Sequence, residues 1–134
     1  MRDILFRGKR LDNGVWIEGF FVEKKYPLRE SDVCSAFILA QHGDSFVWYP
    51  VDPSTVGQYT GLTDKNGKRI WEGDVLTVDG EVGCFELKFN ENTAMFIMDG
   101  DAIRASFNIF GTDEVEVVGN IHDNPELLEG GASE

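Results

Sequence analysis

Residues 82–89 have the sequence VGCFELKF, in which the apolar side chains from Phe85 onward alternate with those of Glu86 and Lys88. A period of two is typical of a β-strand with one face against a core and the other in solvent. An Asp-Gly pair at positions 79–80 precedes this segment, and such pairs favour tight turns because both residues tolerate a positive φ. The stretch therefore predicts one strand of an antiparallel sheet.

Segments of the same kind lie on both sides of this strand, separated by turn residues. The predicted strands here are Asp74–Val78, Val82–Phe89, Ala94–Met98 and Val115–Ile121. Residues 74–121 have the length of a five-stranded, SH3-like small β-barrel. Just before this span, Gly73 permits a sharp bend, and the Asp74 carboxylate can bond nearby backbone amides. After it, Asn124 and Pro125 begin the one short helix that the sequence predicts, a short C-terminal helix.

The N-terminal part of the chain predicts two β-hairpins. Ile4–Lys9 and Val15–Glu23 flank an Asn-Gly turn, which is the strongest short hairpin signal. Trp16, Phe20 and Val22 share one face of the second strand, whereas Val15, Ile17 and Phe21 share the other. A strand that is apolar on both faces is either buried on both or meets a partner with one of them.

The second predicted hairpin pairs Cys34–Ala40 with Ser45–Tyr49, and Pro50 and Pro53 then end the sheet. The chain is therefore predicted to be all-β, with an N-terminal β subdomain at residues 1–54. A C-terminal β-barrel subdomain is predicted at 55–129 and a disordered tail at 130–134.

Composition excludes several classes of protein. The chain has 134 residues and a net charge of −12, with ten basic and eleven acidic residues in 1–74 and only two basic against thirteen acidic in 75–134. This asymmetry disfavours direct binding of nucleic acid by the C-terminal half. No window approaches 18 apolar residues, and no signal-peptide core follows Met1, so we expect a cytoplasmic protein. Cys34 and Cys84 stand far apart, and we expect both to be reduced.

No sequence motif indicates catalysis or metal binding, so we predict no catalytic residue, no metal site and no cofactor. The Asp64-Lys65-Asn66-Gly67 segment differs from a calcium loop, because its glycine comes at the fourth position, and it predicts a turn. Glu72 and Asp74 are the pair of carboxylates best placed for acid–base work, although a structural role is the simpler interpretation.

Two sets of residues are candidates for binding. The first set, for contact with a protein or with a second copy, is Trp16, Phe20, Gln58, Tyr59, Thr60 and Trp71. The second set, for contact with single-stranded nucleic acid by a basic and aromatic patch, is Arg7, Lys9, Arg10, Lys24 and Lys25. The simpler interpretation of residues 55–60 is a connector that turn hydrogen bonds hold in place.

Three stretches of the chain resemble the YopX family of bacteriophage and prophage proteins. They are Ile4-Leu5-Phe6-Arg7-Gly8 with Trp16-Ile17-Glu18-Gly19, then the run from Thr55 to Val75, then the run from Glu116 to Leu128. The middle stretch, which contains TVGQYTGLTDKNG at 55–67, is the most specific. The resemblance implies a mostly β protein from a mobile element that works inside a bacterial host, and it implies no established enzymatic activity.

Two hypotheses of function follow. The first is a non-enzymatic, phage-derived module that binds an unidentified host or phage protein or assembles with itself as a homo-oligomer. The second is association with nucleic acid, either directly through the N-terminal basic and aromatic patch or by acidic mimicry of DNA in the C-terminal half. The sequence predicts no membrane association.

Overall fold

The computed structural model describes residues 3–23, 36–100, 104–106 and 112–130, and these residues are mostly β-strand. They divide into two compact units, Met1–Tyr59 and Thr60–Glu134. Within the described ranges, no helix combines the length and the apolar character that a membrane span requires.

The first unit contains four consecutive antiparallel strands and the start of a fifth. They are β1 (Phe6–Lys9), β2 (Trp16–Glu23), β3 (Ala36–His42), β4 (Ser45–Pro50) and β5 (Gly57–Thr63). The strands lie in the order β4-β3-β2-β1-β5. The predicted hairpins at Asn13-Gly14 and at residues 41–44 are confirmed, since β1 pairs with β2 and β3 pairs with β4.

The end of β4 returns to lie beside the end of β1. Arg10 and Val51 form an isolated antiparallel bridge. On either side of it, the Leu11 N–H donates to the Pro50 carbonyl at 3.0 Å, and the Asp52 N–H donates to the Lys9 carbonyl at 2.9 Å. The first four strands thus curl until the first and last of them meet, which gives their sheet an inner and an outer face.

The core of the first unit lies on the inner face. Ala36, Ile38 and Val51 have no exposed surface, and Phe6 packs against Phe21 with ring centroids 5.7 Å apart. The remaining contacts to this cluster come from Ala40, Ile17, Tyr49 and Val56. Each large apolar side chain buried in this way stabilises the fold by about 1.5–3 kcal/mol.

The second unit contains the end of β5 and six further strands. They are β6 (Arg69–Trp71), β7 (Asp74–Val78), β8 (Phe85–Asn90), β9 (Met95–Asp99), β10 (Arg104–Ser106) and β11 (Val115–Asn120), followed by the short helix α1 (Glu126–Gly130). The last five strands form an antiparallel sheet in the order β10-β9-β8-β7-β11. Its fully buried residues include Leu76, Leu87, Met98 and Val115.

Two buried aspartates hold the turns of the second unit. The Asp74 carboxylate accepts the Trp71 N–H at 2.7 Å, and Gly73 bends the chain with a φ of 93°. This confirms the expected bend and side-chain bond at this position. The Asp64 carboxylate closes the turn at residues 64–67, since it accepts the N–H groups of Asn66 and Lys68, each at 2.9 Å. The turn interpretation of that segment is therefore confirmed.

The all-β prediction is confirmed, and so is the short C-terminal helix, whereas the SH3-like barrel stays a prediction. The start predicted for the third strand, Cys34, lies outside the described residues. The predicted start of β8 at Val82 is wrong, because Gly83 has a φ of 90° and Val82 is left 98% exposed in the loop before β8. Of the tail predicted at 130–134, Gly130 is instead the last residue of α1, and residues 131–134 lie outside the described residues.

The segment predicted as a connector differs from expectation. Residues from Gly57 onward form strand β5, which pairs with β1 through Phe6 opposite Gln58 and Arg7 opposite Gly57. The subdomain boundary that the sequence predicts between residues 54 and 55 stays a prediction. The two compact units of the structure divide between Tyr59 and Thr60.

Candidate binding face

The outer face of the first four strands is rich in aromatic and apolar side chains. Phe20 lies directly opposite Leu39, and Leu39 lies directly opposite Trp48, so one row crosses β2, β3 and β4. Residues opposite each other in an antiparallel sheet project from the same face. With their neighbours on that face, these residues define the outer aromatic face: Trp16, Phe20, Phe37, Leu39, Phe46 and Trp48.

The outer aromatic face stays exposed to solvent, unlike the inner one. Phe20, Phe46 and Trp48 keep 54%, 58% and 51% of their surface exposed, whereas Ile38, which follows Phe37 on β3, keeps none. Single exposed apolar residues are common on proteins, but three large aromatic side chains on one face of one sheet form a contiguous patch. The two-faced pattern of β2 therefore corresponds to one buried and one open face.

The aromatic rings on this face contact one another. The rings of Phe37 and Trp48 meet edge to face, with centroids 5.9 Å apart and planes at 71°. This geometry is the favourable one for aromatic pairs, and it limits the rotamers that Trp48 can adopt. Trp48 thus packs against Phe37 while about half of its surface stays exposed.

Two cations lie at one edge of the outer aromatic face. The Arg7 guanidinium carbon is 4.5 Å from the centre of the Trp16 ring, and the Lys9 ammonium nitrogen is 5.6 Å from it. Lys9 is directly opposite Trp16 in the β1–β2 pair, and Arg7 is opposite Glu18. A cation over an aromatic ring is attracted by the negative face of the ring.

The outer positions of β1–β4 differ in charge from the rest of the chain. They carry Arg7 and Lys9 against a single carboxylate, that of Glu18. The protein as a whole has twice as many acidic as basic residues and a net charge of −12. The face is therefore locally positive on a strongly negative protein.

The other predicted basic residues do not join this edge. The guanidinium of Arg10 lies over the Tyr49 ring at 4.6 Å, and Tyr49 packs against the core on the inner face. Arg10 also bonds the Asp12 carboxylate through two nitrogens, at 2.6 and 2.9 Å, and this hydrogen bond lowers the pKa of Asp12. Lys24 and Lys25 lie outside the described residues.

The four remaining candidates have mainly structural surroundings. Gln58 is half-buried opposite Phe6, and the Tyr59 N–H donates to the Leu5 carbonyl at 2.9 Å. The Thr60 hydroxyl donates to the Ile70 carbonyl at 2.8 Å. Trp71 is only 3% exposed. Their predicted role in contacts stays a prediction, and their burial favours a contribution to stability.

Asp64 uses both carboxylate oxygens to bond backbone amides. Besides Asn66 and Lys68, it accepts the N–H of Val117 at 2.9 Å. Burial raises the pKa of this carboxyl group, but the three N–H groups favour the charged form more strongly, so the pKa falls below its ordinary value. This carboxylate is an ionised structural group, held in place by the backbone.

A charged trio lies on the sheet of the second unit. The Lys88 ammonium is 3.1 Å from Asp99 and 3.8 Å from Glu86. Burial and the nearby Asp99 raise the pKa of Glu86, and Lys88 opposes this change. In the described ranges, no three His, Cys, Asp or Glu side chains are grouped so that they could hold a metal ion.

Sequence reasoning identified Trp16 and Phe20 but missed the rest of the outer aromatic face. Phe46 and Trp48 alternate with Val47 and Tyr49 in β4, so this strand also has two apolar faces, as β2 has. That pattern is the signal that would have found them. The pairing of Leu39 with both Phe20 and Trp48 depends on the register of three strands, which the sequence alone does not specify.

Comparison with known proteins gives one family and one fold. The family model described as YopX protein matches residues 5–129, nearly the whole chain. The crystal structure of protein EF1440 from Enterococcus faecalis is similar, with a TM-score of 0.54 and 24% sequence identity. That match covers 96% of this chain and 99% of the other, and it shows a shared fold. None of the curated proteins matches, and neither description above names a catalytic activity.

Proposed function

The chain belongs to the YopX family, and from this premise we propose that it is a non-enzymatic module that binds another polypeptide through the outer aromatic face. We further propose that it derives from a phage or prophage and acts in the cytoplasm of the bacterial host. The observation that carries the proposal is the exposure of Phe20, Phe46 and Trp48 on one face of one sheet.

Burial of this face against a partner would release a large free energy. A fully covered Phe or Trp side chain buries about 150–250 Å², and 51–58% of the surface of Phe20, Phe46 and Trp48 is still exposed for a partner to cover. Apolar burial contributes about 25 cal/mol per Å². Aromatic side chains are also enriched among the few residues that dominate binding energy at protein interfaces. Because the Trp48 ring already packs against the Phe37 ring, covering it costs less rotamer entropy than covering a ring with no such contact.

The surroundings of the two buried aspartates support a non-enzymatic role. Asp64 and Asp74 both accept backbone N–H groups in turns. Of the pair considered for acid–base work, Asp74 is thus used to fix the bend at Gly73. This buried carboxylate therefore contributes to the fold.

Affinity capture from bacterial lysate tests the proposal with three baits. They are the wild type, the double variant Phe20→Ser/Trp48→Ser, and Val82→Ser as a control, because Val82 is 98% exposed in the second unit. We expect a polypeptide that the wild type and the control retain and the double variant loses. Equal capture by all three baits would contradict the proposal.

Light scattering on the same samples at several salt concentrations tests self-assembly, and a strict monomer would exclude a second copy as the partner.

Association with nucleic acid is the second candidate function. The observation in its favour is the placement of Arg7 and Lys9 over Trp16, next to exposed rings on which bases can stack. A mobility shift with single-stranded DNA that weakens in Arg7→Gln and Lys9→Gln, and at higher salt, would support direct binding. Acidic mimicry by residues 75–134 instead requires salt-sensitive capture of a DNA-binding host protein. Glu18 and the net charge of −12 favour a polypeptide, because nucleic acid carries a negative charge at every nucleotide and a polypeptide does not.

A further inference from the structure

We infer that the partner segment is an acidic, extended peptide of about five to seven residues, with apolar side chains over Phe20 and Trp48 and a carboxylate at the Arg7 and Lys9 edge. This inference rests on the proposed function, and it adds the chemistry and the direction of the ligand. Three properties of the outer aromatic face carry it: the order of its side chains, its dimensions and its charge.

The order of side chains gives the face a direction. Exposed apolar rings lie on β2 and β4, where Phe20 and Trp48 are aligned through Leu39. The cations lie at the opposite edge, on β1, next to Trp16. A ligand that satisfies both regions must therefore be apolar at one end and negatively charged at the other.

The dimensions of the face suit a short extended chain. Neighbouring strands lie about 4.8 Å apart and rise about 3.3 Å per residue, which separates Trp48 on β4 from Trp16 on β2 by about 16 Å along the diagonal. An extended peptide covers about 3.3–3.6 Å per residue. Five residues reach from one tryptophan to the other, and one or two more reach the cations on β1.

The charge of the face selects acidic ligands. Its outer positions carry one more cation than anions, whereas residues 75–134 carry thirteen acidic residues against two basic ones. The negative electrostatic potential of the whole protein would attract a basic ligand to many parts of its surface. An acidic ligand is repelled elsewhere, so this locally positive face is where it can dock with complementary charge.

The dimensions and chemistry of the face also argue against single-stranded nucleic acid. A backbone of phosphates presents a negative charge at every nucleotide, whereas cations occupy only one edge of the outer aromatic face. Phosphates over Phe20 and Trp48 would face apolar rings and would lie near the Glu18 carboxylate on β2. A peptide can place its apolar residues there and its carboxylates at the edge.

Selection from a displayed library of random seven-residue peptides, with the whole protein as bait, tests the inference. We expect enriched peptides to carry apolar or aromatic residues followed at one end by Asp or Glu. Replacement of those acidic residues by Lys in a synthetic copy should weaken binding to the wild type by about tenfold or more at low salt, as loss of a charge-assisted contact does. This substitution is made in the peptide, so it cannot unfold the protein.

A set of protein variants links the carboxylate to its predicted site. Lys9→Gln and Arg7→Gln should each weaken the selected acidic peptide, whereas Arg10→Gln should not, because Arg10 lies over Tyr49. Enriched peptides without acidic residues, or acidic peptides that are insensitive to Lys9→Gln, would overturn the inference. If such peptides still require Phe20 and Trp48, the proposed function survives that result. Peptides that bind without these two rings would count against both.

Discussion

The Asp64 carboxylate accepts a hydrogen bond from the Val117 N–H at 2.9 Å, although 53 positions separate the two residues in the chain. The other carboxylate oxygen closes the turn that follows β5. The bond therefore joins a local turn to the last strand of the second unit. Because the carboxylate is only 5% exposed, water cannot readily replace it as the acceptor.

Replacement of Asp64 by Asn is expected to lower the free energy of unfolding by about 2–4 kcal/mol, because the amide offers one acceptor oxygen where two are used. Urea denaturation followed by circular dichroism measures the loss. The matched control is Asp79→Asn, which removes an exposed ion pair with Lys65 at 2.9 Å and should cost about 1 kcal/mol or less. Equal losses of stability in the two variants would show that the buried hydrogen bonds of Asp64 stabilise the fold no more than an exposed ion pair does.

The Asp64 carboxylate should make the protein less stable at acidic pH. The pKa of Asp64 is lower in the folded protein than in the unfolded chain, so its contribution is fully present above the unfolded value of about 3.9. It is lost as the pH falls through the folded pKa. Urea midpoints measured from pH 7 downward should therefore fall less steeply below pH 4 in Asp64→Asn than in the wild type. Parallel curves would contradict the assigned direction of the shift.

Local elements of the fold could be predicted from the sequence. The Asn-Gly pair at 13–14 and the alternation from Phe85 onward each depend on a few neighbouring residues, and both predictions are confirmed. The bond from Asp64 to Val117 could not be predicted, because it needs the packing of distant strands. For the same reason, sequence reasoning found Trp16 and Phe20 on one strand but not Trp48, whose alignment with Phe20 requires two strand registers.

The two faces of the first sheet should respond differently to substitution. Phe20→Ser removes a side chain that is 54% exposed, and it should cost about 1 kcal/mol or less. Ile38→Ala removes a side chain with no exposed surface on the inner face, and it should cost about 2–5 kcal/mol. Urea denaturation of both variants gives the comparison. A loss on Phe20→Ser as large as that of Ile38→Ala would mean that Phe20 serves the core and is not free to bind a partner.

Gly19 on β2 should tolerate no side chain. A Cβ at this position would clash with the Leu39 carbonyl oxygen, which belongs to the neighbouring strand β3. Since backbone cannot move aside as a flexible side chain can, Gly19→Ala should separate the two strands and cost about 3 kcal/mol or more. Glu18→Ala, one residue earlier on the outer face, is the control and should cost much less. Equal unfolding temperatures for the two variants would show that β2 and β3 are packed less closely at Gly19 than the structure indicates.

Photo-crosslinking in bacterial cells identifies what the outer aromatic face contacts. A benzoylphenylalanine residue is introduced at Phe20, at Trp48 or, as a fully exposed control, at Val82 in the second unit. After irradiation, mass spectrometry identifies what each position contacts. We expect polypeptide adducts at Phe20 and Trp48 and none above background at Val82. The same adducts at all three positions, adducts with nucleic acid at Phe20 and Trp48, or no adduct at either would contradict it.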